Sequence, residues 1–246
     1  MSFVDKDLTE DAFLGGRVRL AQPRHGYRAA TDPVLLAAAV AARPGERVLD
    51  IGCGAGAAAA CLSARAPASA MHGLELQPRY AALARRNLPN ATIWEGDVFA
   101  PPPALGAIGF DWVMTNPPFF DEADPASPAT DRDAARREAA TATSWVAAAM
   151  KRVRSGGRIA IIHLARKLPE ILAGLDGAGD IAALPLQARV GRLAGRVIVT
   201  VRKGARGPFR LAPPLVLHSG VRHLRDEVDF SDEAQAVLRD AEPLAF

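Results

Sequence analysis

The chain has 246 residues, 49% of them hydrophobic, which is enough for the core of one large α/β domain. No apolar stretch is long enough to span a bilayer, and residues 1–10 are polar and acidic, unlike a signal peptide, so we expect a cytoplasmic protein. The five histidines lack metal-ligand spacing, and Cys53 and Cys61 lie too far apart on the predicted elements for a disulfide, so neither a metal site nor a disulfide is expected.

Arginine dominates the basic residues, although the formal net charge is only +3. The arginines form three clusters, at 17–28, 132–137 and 189–210. Clusters of this kind can bind a phosphate backbone, which makes a nucleic acid an expected partner. The alternative is an arginine-rich composition whose side chains are simply solvated.

The first predicted elements are a short strand and a helix. Alternating basic and apolar residues predict a strand over 17–20, between glycine-containing turns. The segment Thr31-Asp32-Pro33 opens a helix predicted over 34–42, with proline in its first turn. Asp32 has two compatible interpretations, as the cap of this helix or as a contact to a cofactor.

A hydrophobic strand then leads into a glycine-rich turn. Residues 48–56 read Val-Leu-Asp-Ile-Gly-Cys-Gly-Ala-Gly, and an alanine-rich helix is predicted to continue to Arg65. The glycines allow the backbone to approach a ligand at a helix N-terminus, where free N–H groups point outward. Gly52, Gly54 and Ala57 also satisfy a relaxed dinucleotide fingerprint, so a nicotinamide oxidoreductase is an alternative.

The next two predicted strands lead to acidic residues. A strand over 70–75 ends at Glu75, about where a ribose-binding carboxylate falls in nucleotide-binding folds. A helix predicted over 79–87 and a strand over 91–94 follow, and Asp97 comes just after that strand.

The fourth strand, with its apolar run at 112–114, stops at the sequence Asn-Pro-Pro-Phe, residues 116–119. Proline has a fixed φ and no N–H, so this turn is rigid. Asn116 offers a side-chain oxygen, Pro117 a carbonyl and Phe119 a flat face, a set suited to a planar group that carries an amino group, such as adenine. The plain alternative is a strand-ending turn with Phe119 in the core.

The second half of the chain continues the α/β pattern. Its predicted elements are a helix over 139–153, a strand over 158–164, a helix over 168–175, strands over 181–189 and 196–202, a strand over 215–218 and a short final helix. Gly156-Gly157 is expected to end the first helix, and the wholly apolar strand after it is expected to be central. The turn at 191–195 predicts an antiparallel hairpin, and Ser231 or Asp232 can cap the final helix.

In this order the motifs resemble those of the class I S-adenosylmethionine-dependent methyltransferases. The resemblance covers roughly residues 30–203 and implies a Rossmann-like α/β fold: a seven-stranded, mostly parallel sheet with an antiparallel last strand and helices on both faces. It further implies one methyltransferase domain over residues 1–246. This domain would comprise an N-terminal extension (1–30), a cofactor-binding catalytic core (31–203) and a C-terminal extension (204–246).

The resemblance assigns site residues by position. The implied catalytic residues are Asn116, Pro117, Pro118 and Phe119. The implied S-adenosylmethionine-binding residues are Asp32, Asp50, Gly52, Gly54, Gly56, Glu75, Leu76, Asp97, Val98 and Asn116. Asp50 is expected to face the ammonium of the cofactor, Glu75 its ribose hydroxyls and Asp97 its adenine amino group.

Within the class, Asn-Pro-Pro-aromatic resembles the motif of methyltransferases that act on amino groups. The segments at 15–23, 26–28 and 31–36 are similar to bacterial enzymes that methylate adenine N6 beside the anticodon of a valine tRNA. Phe119 departs from the Tyr of many of these enzymes. Guanine-N2 rRNA methyltransferases and protein-glutamine methyltransferases share the motif and are alternatives, and a non-catalytic RNA-binding module is a further one.

The expected partner is therefore RNA, specifically tRNA, with no membrane and no metal, and the protein is expected to be a monomer or a weak homodimer. The residues expected to contact RNA are Arg28, Arg132, Arg136 and Arg137.

Overall fold

A computed structural model describes residues 3–118, 141–220 and 229–246. Its strands are β1 (Leu8–Phe13), β2 (Val18–Pro23), β3 (Arg47–Ile51), β4 (Ala70–Glu75), β5 (Thr92–Glu95), β6 (Phe110–Thr115), β7 (Val153–Leu164), β8 (Ala178–Gln187), β9 (Ala194–Lys203), β10 (Arg210–Leu211) and β11 (Leu215–Val216). Its α-helices are α1 (Asp32–Ala38), α2 (Ala57–Arg65), α3 (Pro78–Asn87), α4 (Pro103–Gly106), α5 (Ala142–Arg152), α6 (Leu168–Ala173) and α7 (Asp232–Leu238).

Seven strands form the central sheet in the order β8-β9-β7-β6-β3-β4-β5. The pairs from β7 to β5 are all parallel, whereas β9 runs antiparallel to both β7 and β8. The predicted fold class, with an antiparallel last strand and a central β7, is therefore confirmed. The short strands β10 and β11 add to the outer edge by pairing in parallel with β8.

The sheet is covered on both faces because consecutive strand residues point to opposite sides. In β3, Val48 packs into the cluster formed with α1, α2 and α3, whereas Leu49 and Ile51 pack into the cluster formed with α5 and α6. All three side chains are completely buried. Such burial on both sides explains why these strands read as continuous apolar runs in the sequence.

An N-terminal hairpin packs beside the glycine turn. Strands β1 and β2 pair antiparallel from Leu8↔Pro23 to Phe13↔Val18. The side chain of Asn87 joins this hairpin to the core: its Nδ2 donates to the carbonyls of Ala21 and Ala55, both at 2.9 Å. The hairpin is thereby fixed next to the residues that follow β3.

The structure contradicts two expectations about helix ends, one at Gly156-Gly157 and one at Asp32. Gly156-Gly157 does not end a helix: α5 has already ended at Arg152, and both glycines lie within β7, where the register against β6 shifts. Asp32 does not cap α1 but is its first residue, and the cap position, Thr31, makes no side-chain cap bond. Ser231, in contrast, caps α7 by accepting from the N–H of Ala234 at 3.1 Å.

The described residues contain neither a membrane-spanning helix nor a cluster of metal-ligating side chains. None of the helices there has the length and apolar character needed to cross a membrane. Within the same residues, no group of three or more His, Cys, Asp or Glu side chains is arranged to hold a metal ion. Cys53 and Cys61 are both buried and free.

Candidate functional site

The parallel strands β3, β4 and β6 end at one edge of the sheet, and the predicted site residues follow them. Carboxyl edges of open α/β sheets are where ligands bind in this architecture. A cavity at this edge is lined by residues from β2, the segment after it, the β3–α2 turn and the end of β6. Its lining residues are Gln22, Tyr27, Ala29, Pro33, Asp50, Gly52, Cys53, Ala55, Ala57, Ala58 and Asn116.

The β3–α2 turn contains three glycines that adopt a left-handed backbone conformation. Gly52, Gly54 and Gly56 have φ values of 71°, 56° and 90°, a region that side chains with a Cβ rarely occupy. At Gly56 a Cβ would lie 2.6 Å from Cδ1 of Leu88, so a larger residue would also collide with the core. The turn leads directly into α2, and its residues Gly52, Cys53 and Ala55 line the cavity.

Asp50 is a buried carboxyl group that lacks a full set of partners. The residue is 2% exposed, and its Oδ2 has no hydrogen-bond partner among the described residues. Burial raises the pKa of Asp50 to about 7; a backbone hydrogen bond from Ala59 lowers it, and the nearby Glu75 adds to the increase. A cationic ligand group beside this side chain would supply the missing opposite charge.

Glu75 is 7% exposed and is fixed by backbone N–H groups. Its Oε2 accepts from Gly54 at 2.9 Å and its Oε1 from Gln77 at 2.8 Å. Burial raises the pKa of Glu75, and hydrogen bonds from the backbone of Gln77, Gly54 and Leu76 oppose the rise. Each carboxylate oxygen has a second lone pair, so these bonds leave acceptor capacity for ligand hydroxyls.

The neighbouring loop after β5 presents both polar and apolar groups. Asp97 Oδ1 accepts from the backbone N–H of Phe99 at 2.9 Å, which fixes the start of the loop. Val98 is buried, whereas Leu76 and Phe99 are 48% and 44% exposed. Phe99 contacts the ring of Trp145 edge-on, with ring centroids 6.1 Å apart. Exposed apolar side chains next to two carboxylates suit a planar polar ligand such as a nucleoside.

Asn116 directly follows β6, and its amide oxygen makes no hydrogen bond to the described residues. Oδ1 is buried and has no partner among the described residues. Pro117 is buried and Pro118 exposed, so the chain turns outward immediately after the strand. An unsatisfied buried carbonyl oxygen costs free energy unless a ligand pairs with it, which marks Asn116 as a candidate ligand contact. Phe119 lies outside the described residues.

Tyr27 is a site residue that sequence reasoning did not single out. The residue is 54% exposed, yet it lines the cavity together with Asp50 and Asn116. Burial raises the pKa of Tyr27 to about 12, and the charges of Asp32 and Asp50 add to the increase. In the sequence, the run Gly26-Tyr27-Arg28 indicates a functional segment only through its resemblance to a family of methyltransferases.

The remaining predicted residues have partners within the protein or lie outside the described residues. Asp32 Oδ2 accepts from Arg196 Nε at 3.1 Å, and its position near Tyr27 places it at the border of the cavity. The guanidinium of Arg28 donates to Asp11 Oδ2 at 2.6 Å, to Thr9 Oγ1 at 2.8 Å and to the carbonyl of Pro23 at 2.9 Å. These bonds give Arg28 a structural role in the hairpin. Arg132, Arg136 and Arg137 are outside the described residues.

A family model described as the methyltransferase small domain matches residues 30–174. This range contains the glycine turn, Glu75, Asp97 and Asn116, the residues whose geometry was described above. The chain belongs to the methyltransferase small domain family.

The relatives of this chain are named for two different activities, adenine-N6 methylation of tRNA and glutamine methylation of release factors. The tRNA1(Val) (adenine(37)-N6)-methyltransferase of Aeromonas hydrophila is 30% identical over 193 residues, which is 74% of this chain and 79% of that protein. The corresponding protein of Haemophilus influenzae is 25% identical over 70% of this chain and 76% of its own length. A release factor glutamine methyltransferase of Geobacter sulfurreducens is 37% identical, but over 42% of this chain. The chain spans about a third (35%) of that relative's length.

Solved structures agree on the fold. A crystal structure from Agrobacterium tumefaciens, described as a predicted O-methyltransferase, has a TM-score of 0.72 and 25% identity over 87% of this chain and 99% of that one. The T. thermophilus 16S rRNA N2 G1207 methyltransferase in complex with AdoMet and guanosine has a TM-score of 0.55 and 19% identity over 80% of this chain and 50% of that one.

The described residues are compatible with S-adenosylmethionine. The ligand needs a partner for an ammonium, acceptors for ribose hydroxyls and an open backbone turn. Asp50 has an unpaired buried oxygen, Glu75 has remaining lone pairs, and the glycine turn lacks the Cβ atoms that would fill the space. Each need is thus met by a residue at the same edge of the sheet.

Proposed function

We propose that this methyltransferase transfers a methyl group to an exocyclic amino group, and that its substrate is adenine N6 of a tRNA. The observation that carries the proposal is the buried Oδ1 of Asn116 at the carboxyl end of β6, which has no hydrogen-bond partner within residues 3–118, 141–220 and 229–246. An exocyclic NH₂ is a hydrogen-bond donor, so it can satisfy this oxygen, whereas a substrate hydroxyl or thiol offers a single hydrogen. The carbonyl of Pro117 would accept the second N–H of the same amino group.

The proposed cofactor contacts follow from the polarity of each group. Asp50 would pair with the cofactor ammonium, since its buried Oδ2 has no hydrogen-bond partner in the part of the chain that the structure describes. Glu75 would accept from the ribose hydroxyls and Asp97 from the adenine amino group, between the apolar side chains of Leu76 and Val98. The backbone of Gly52, Gly54 and Gly56 would lie against the amino-acid portion of the cofactor. Asp32 would lie at the border of the cofactor site, where its charge raises the pKa of Tyr27.

Orientation of the amine is the chemical contribution of this chain. When bound, S-adenosylmethionine supplies an electrophilic methyl group on a sulfonium. Asn116 and Pro117 would hold the two N–H bonds of the target and thereby direct the nitrogen lone pair at that methyl group. Well-oriented reacting pairs gain up to ~7–11 kcal/mol over free encounter. The methylated nitrogen is acidic and releases its proton to water, so no strong general base is required.

Access to the amine requires an unpaired or flipped base, because pairing would occupy the same N–H groups. Phe119 would stack on that base, a contact typically worth about 1–3 kcal/mol. Pro118 keeps the turn between Asn116 and Phe119 rigid, since proline has one accessible range of φ.

The extent of similarity supports tRNA adenine over the alternatives. The match to the A. hydrophila adenine methyltransferase covers 193 residues and 79% of that enzyme. The match to the glutamine methyltransferase of G. sulfurreducens covers 106 residues and 35% of that protein. The likeness to the guanine-N2 enzyme is one of fold. A substrate-specific relationship is expected to extend beyond the shared catalytic core, as the adenine match does.

Product analysis tests the proposal. The purified protein is incubated with labelled S-adenosylmethionine and either total bacterial tRNA or an extract containing release factors, and the products are digested and separated by mass spectrometry. The proposal expects N6-methyladenosine in tRNA. N2-methylguanosine would overturn the adenine assignment, and label on a protein glutamine would overturn the RNA assignment. Asn116→Ala protein, which keeps Asp50, Glu75 and the glycine turn, is the matched control for contaminating activity.

A further inference from the structure

The β8–β9 tip, residues 188–193, connects β8 to β9 at the same edge of the sheet as the candidate site. Strand β7 runs parallel to β6, β3 and β4, so all four strands end at this edge. Strand β9 runs antiparallel to β7 and pairs Arg196 with Leu164, the last residue of β7. Strand β8 ends at Gln187, opposite Ala194. The tip therefore extends from the carboxyl edge of the sheet.

The tip is close to the residue proposed to bind the target amine. Only β7 separates β6 from β9 in the sheet, and neighbouring strands lie ~4.8 Å apart, so Arg196 lies roughly 10–15 Å from Asn116. Arg196 Nε also donates to Oδ2 of Asp32 at 3.1 Å, and the next residue, Pro33, lines the cavity. At ~3.3 Å per residue, Leu193 lies at most about 10 Å beyond Arg196. A stacked nucleic-acid strand rises about 3.4 Å per nucleotide, so a strand of roughly ten nucleotides is long enough to reach from the site to the tip.

The conformation of the tip is fixed by contacts within the protein. The N–H of Arg192 donates to the carbonyl of Arg189 at 3.1 Å, which closes the turn around Gly191, where φ is 74°. The Arg189 guanidinium donates to Asp229 Oδ2 at 2.6 Å and to the carbonyl of Ser219. A surface that is ordered before binding loses less conformational entropy when a partner binds.

Basic residues are concentrated at this edge of the sheet. They are Arg166, Lys167, Arg189, Arg192 and Arg196. The segments that carry them, 164–169 and 188–196, contain no acidic residue. Burial lowers the pKa of His163 to about 4, and three of these cations add to the decrease, which Glu170 partly offsets. Cations that act on one imidazole lie close to one another, so this edge is a basic surface.

Arg192 stands between two exposed apolar residues. Its side chain is exposed and has neither a salt bridge nor a hydrogen bond within residues 3–118, 141–220 and 229–246. Val190 is 64% exposed and Leu193 is 96% exposed. Branched apolar side chains gain free energy when a partner removes them from water. The tip thus offers one cation and two apolar groups to a partner.

RNA is the partner whose chemistry matches this combination. Its phosphates are anionic, and the faces of unpaired bases pack against protein side chains. The basic surface at the carboxyl edge attracts such a strand over a longer range than the contacts themselves. The tip also lies beside the cavity where an unpaired base would enter.

We propose that the β8–β9 tip binds the RNA strand that leads into the site, with Arg192 contacting a phosphate and Val190 and Leu193 packing against ribose or base faces. The inference rests on the proposed function, because it specifies where the tRNA substrate lies on the protein. The tip contacts the substrate away from the reacting nitrogen, so it acts on binding rather than on methyl transfer.

Binding measurements with two single variants test the two kinds of contact separately. The probe is fluorescently labelled total bacterial tRNA, and its anisotropy is measured with each protein over a range of salt concentrations. Arg192→Ala should raise the Kd about twofold to fivefold, the value of one exposed charge contact, and lower the salt slope by roughly 0.7–0.9. Leu193→Ala should raise the Kd about fourfold or more, the value of a buried methylene, without changing the slope. Wild-type Kd values for both variants would overturn the inference.

The dipeptide Arg210-Leu211 provides a matched control. Both residues are exposed, and their strand, β10, lies opposite Ala182 and Ala183 in the middle of β8, away from the tip. The double alanine variant at 210 and 211 removes the same atoms as the double alanine variant at 192 and 193. It should leave the Kd for tRNA within about twofold of the wild type. An equal loss in the two double variants would assign the effect to overall charge and overturn the inference.

Kinetics separate binding from methyl transfer. The double alanine variant at 192 and 193 should raise KM for tRNA, keep kcat within about twofold and leave the Kd for S-adenosylmethionine unchanged. A loss that lies entirely in kcat would overturn the inference, because it would place the effect at the reacting atoms or in the fold.

Crosslinking identifies the partner directly. The protein with p-benzoylphenylalanine in place of Leu193 is irradiated in a mixture of tRNA and release factor, and the crosslink should form with tRNA. A crosslink to the release factor alone would overturn the inference and assign the tip to a protein partner. Wild-type protein that does not bind tRNA would overturn the proposed function together with the inference. Wild-type protein that methylates tRNA adenine, with a tip whose replacement changes nothing, would overturn the inference alone.

Discussion

Trp145 is hydrogen bonded to Thr115, the last residue of β6. The indole Nε1 donates to Thr115 Oγ1 at 2.8 Å, and this hydroxyl donates to the carbonyl of Ile51 at 2.9 Å. Thr115 is completely buried and directly precedes Asn116. One hydroxyl therefore connects α5, the end of β6 and the end of β3, which are the elements that border the candidate site.

Thr115→Val should destabilise the protein by about 1–3 kcal/mol, because the isosteric side chain leaves the Ile51 carbonyl and the Trp145 N–H without their partner. Thr115→Ser keeps the hydroxyl and loses one buried methyl group, so it should cost roughly 1 kcal/mol or less. Urea unfolding measures both. Equal free energies of unfolding for the valine variant and the wild type would show that the connection contributes nothing to stability.

Much of the site could be predicted from sequence because its residues directly follow strands. Val48 to Ile51, the glycine turn and Glu75 are local patterns, and parallel strands bring their carboxyl ends together without further information. The position of Asn116 follows from the same rule. The apolar runs also identified the central strands, since burial on both faces excludes polar residues from them.

The position of Tyr27 in the lining of the cavity could not be predicted in this way. Its approach to Asn116 depends on the packing of the N-terminal hairpin against Asn87 and on the bonds of Gln22 to Ala29, which join residues distant from any local pattern. Strand β1 was missed for a related reason: its middle residues are only partly buried or exposed, so its sequence lacks an apolar run. Tertiary contacts rather than propensity fix both features.

Cofactor affinity should depend on pH through Asp50. Burial raises its pKa to about 7, and pairing with an ammonium requires the ionised form. Between about pH 5.5 and about pH 7, the Kd for S-adenosylmethionine should fall by up to about tenfold per pH unit as pH rises. Asp50→Asn should bind weakly with no such dependence. Titration calorimetry across this range checks the slope; a flat wild-type profile would contradict the assignment.

The same pKa has an opposite consequence for the free protein. The folded form of Asp50 holds its proton up to about pH 7, whereas the unfolded form releases it near the ordinary value of 3.8. The folded state therefore binds more protons between these values, and this group's contribution to stability decreases as pH rises through that window. The urea midpoints of Asp50→Asn and wild type should accordingly agree in acid and diverge towards neutral pH, with the variant more stable.

Glu75→Ala should weaken S-adenosylmethionine binding by roughly 1.5–3 kcal/mol, the range for hydrogen bonds to a charged group. The same change frees the N–H groups of Gly54 and Gln77, so the glycine turn should also lose order. Glu75→Gln keeps an acceptor for one of them and should show an intermediate loss of affinity. Calorimetry provides the affinities, and a melting curve for each variant separates loss of fold from loss of contact. Wild-type affinity in a folded Ala variant would exclude the ribose contact.

An RNA substrate predicts a strong dependence of binding on salt. If Arg132, Arg136 and Arg137 contact phosphates, replacing all three with Ala should flatten the plot of log K for tRNA against log salt by about 2 units, since each contact contributes roughly 0.7–0.9. Replacement of Arg202, Arg206 and Arg210, exposed residues at or beyond the end of β9 away from the site, removes the same charge and should change the slope less. Equal slopes for the two triple variants would leave only a nonspecific charge effect.

Asn116→Ala should lower kcat much more than it raises KM. The lost oxygen is buried and has no partner among the residues that the structure describes, so its bond to the amine is made where the reaction occurs and strengthens as the nitrogen becomes positive. A loss of about 10²-fold in kcat would correspond to roughly 2.7 kcal/mol of transition-state stabilisation.

Asn116→Asp is the sharper comparison. It retains an acceptor oxygen but replaces the amide NH₂, so it should retain part of the activity. Steady-state kinetics on tRNA, with cofactor Kd measured separately, provides the test. A variant whose loss lies entirely in KM would indicate that Asn116 binds the substrate without orienting the nitrogen that accepts the methyl group.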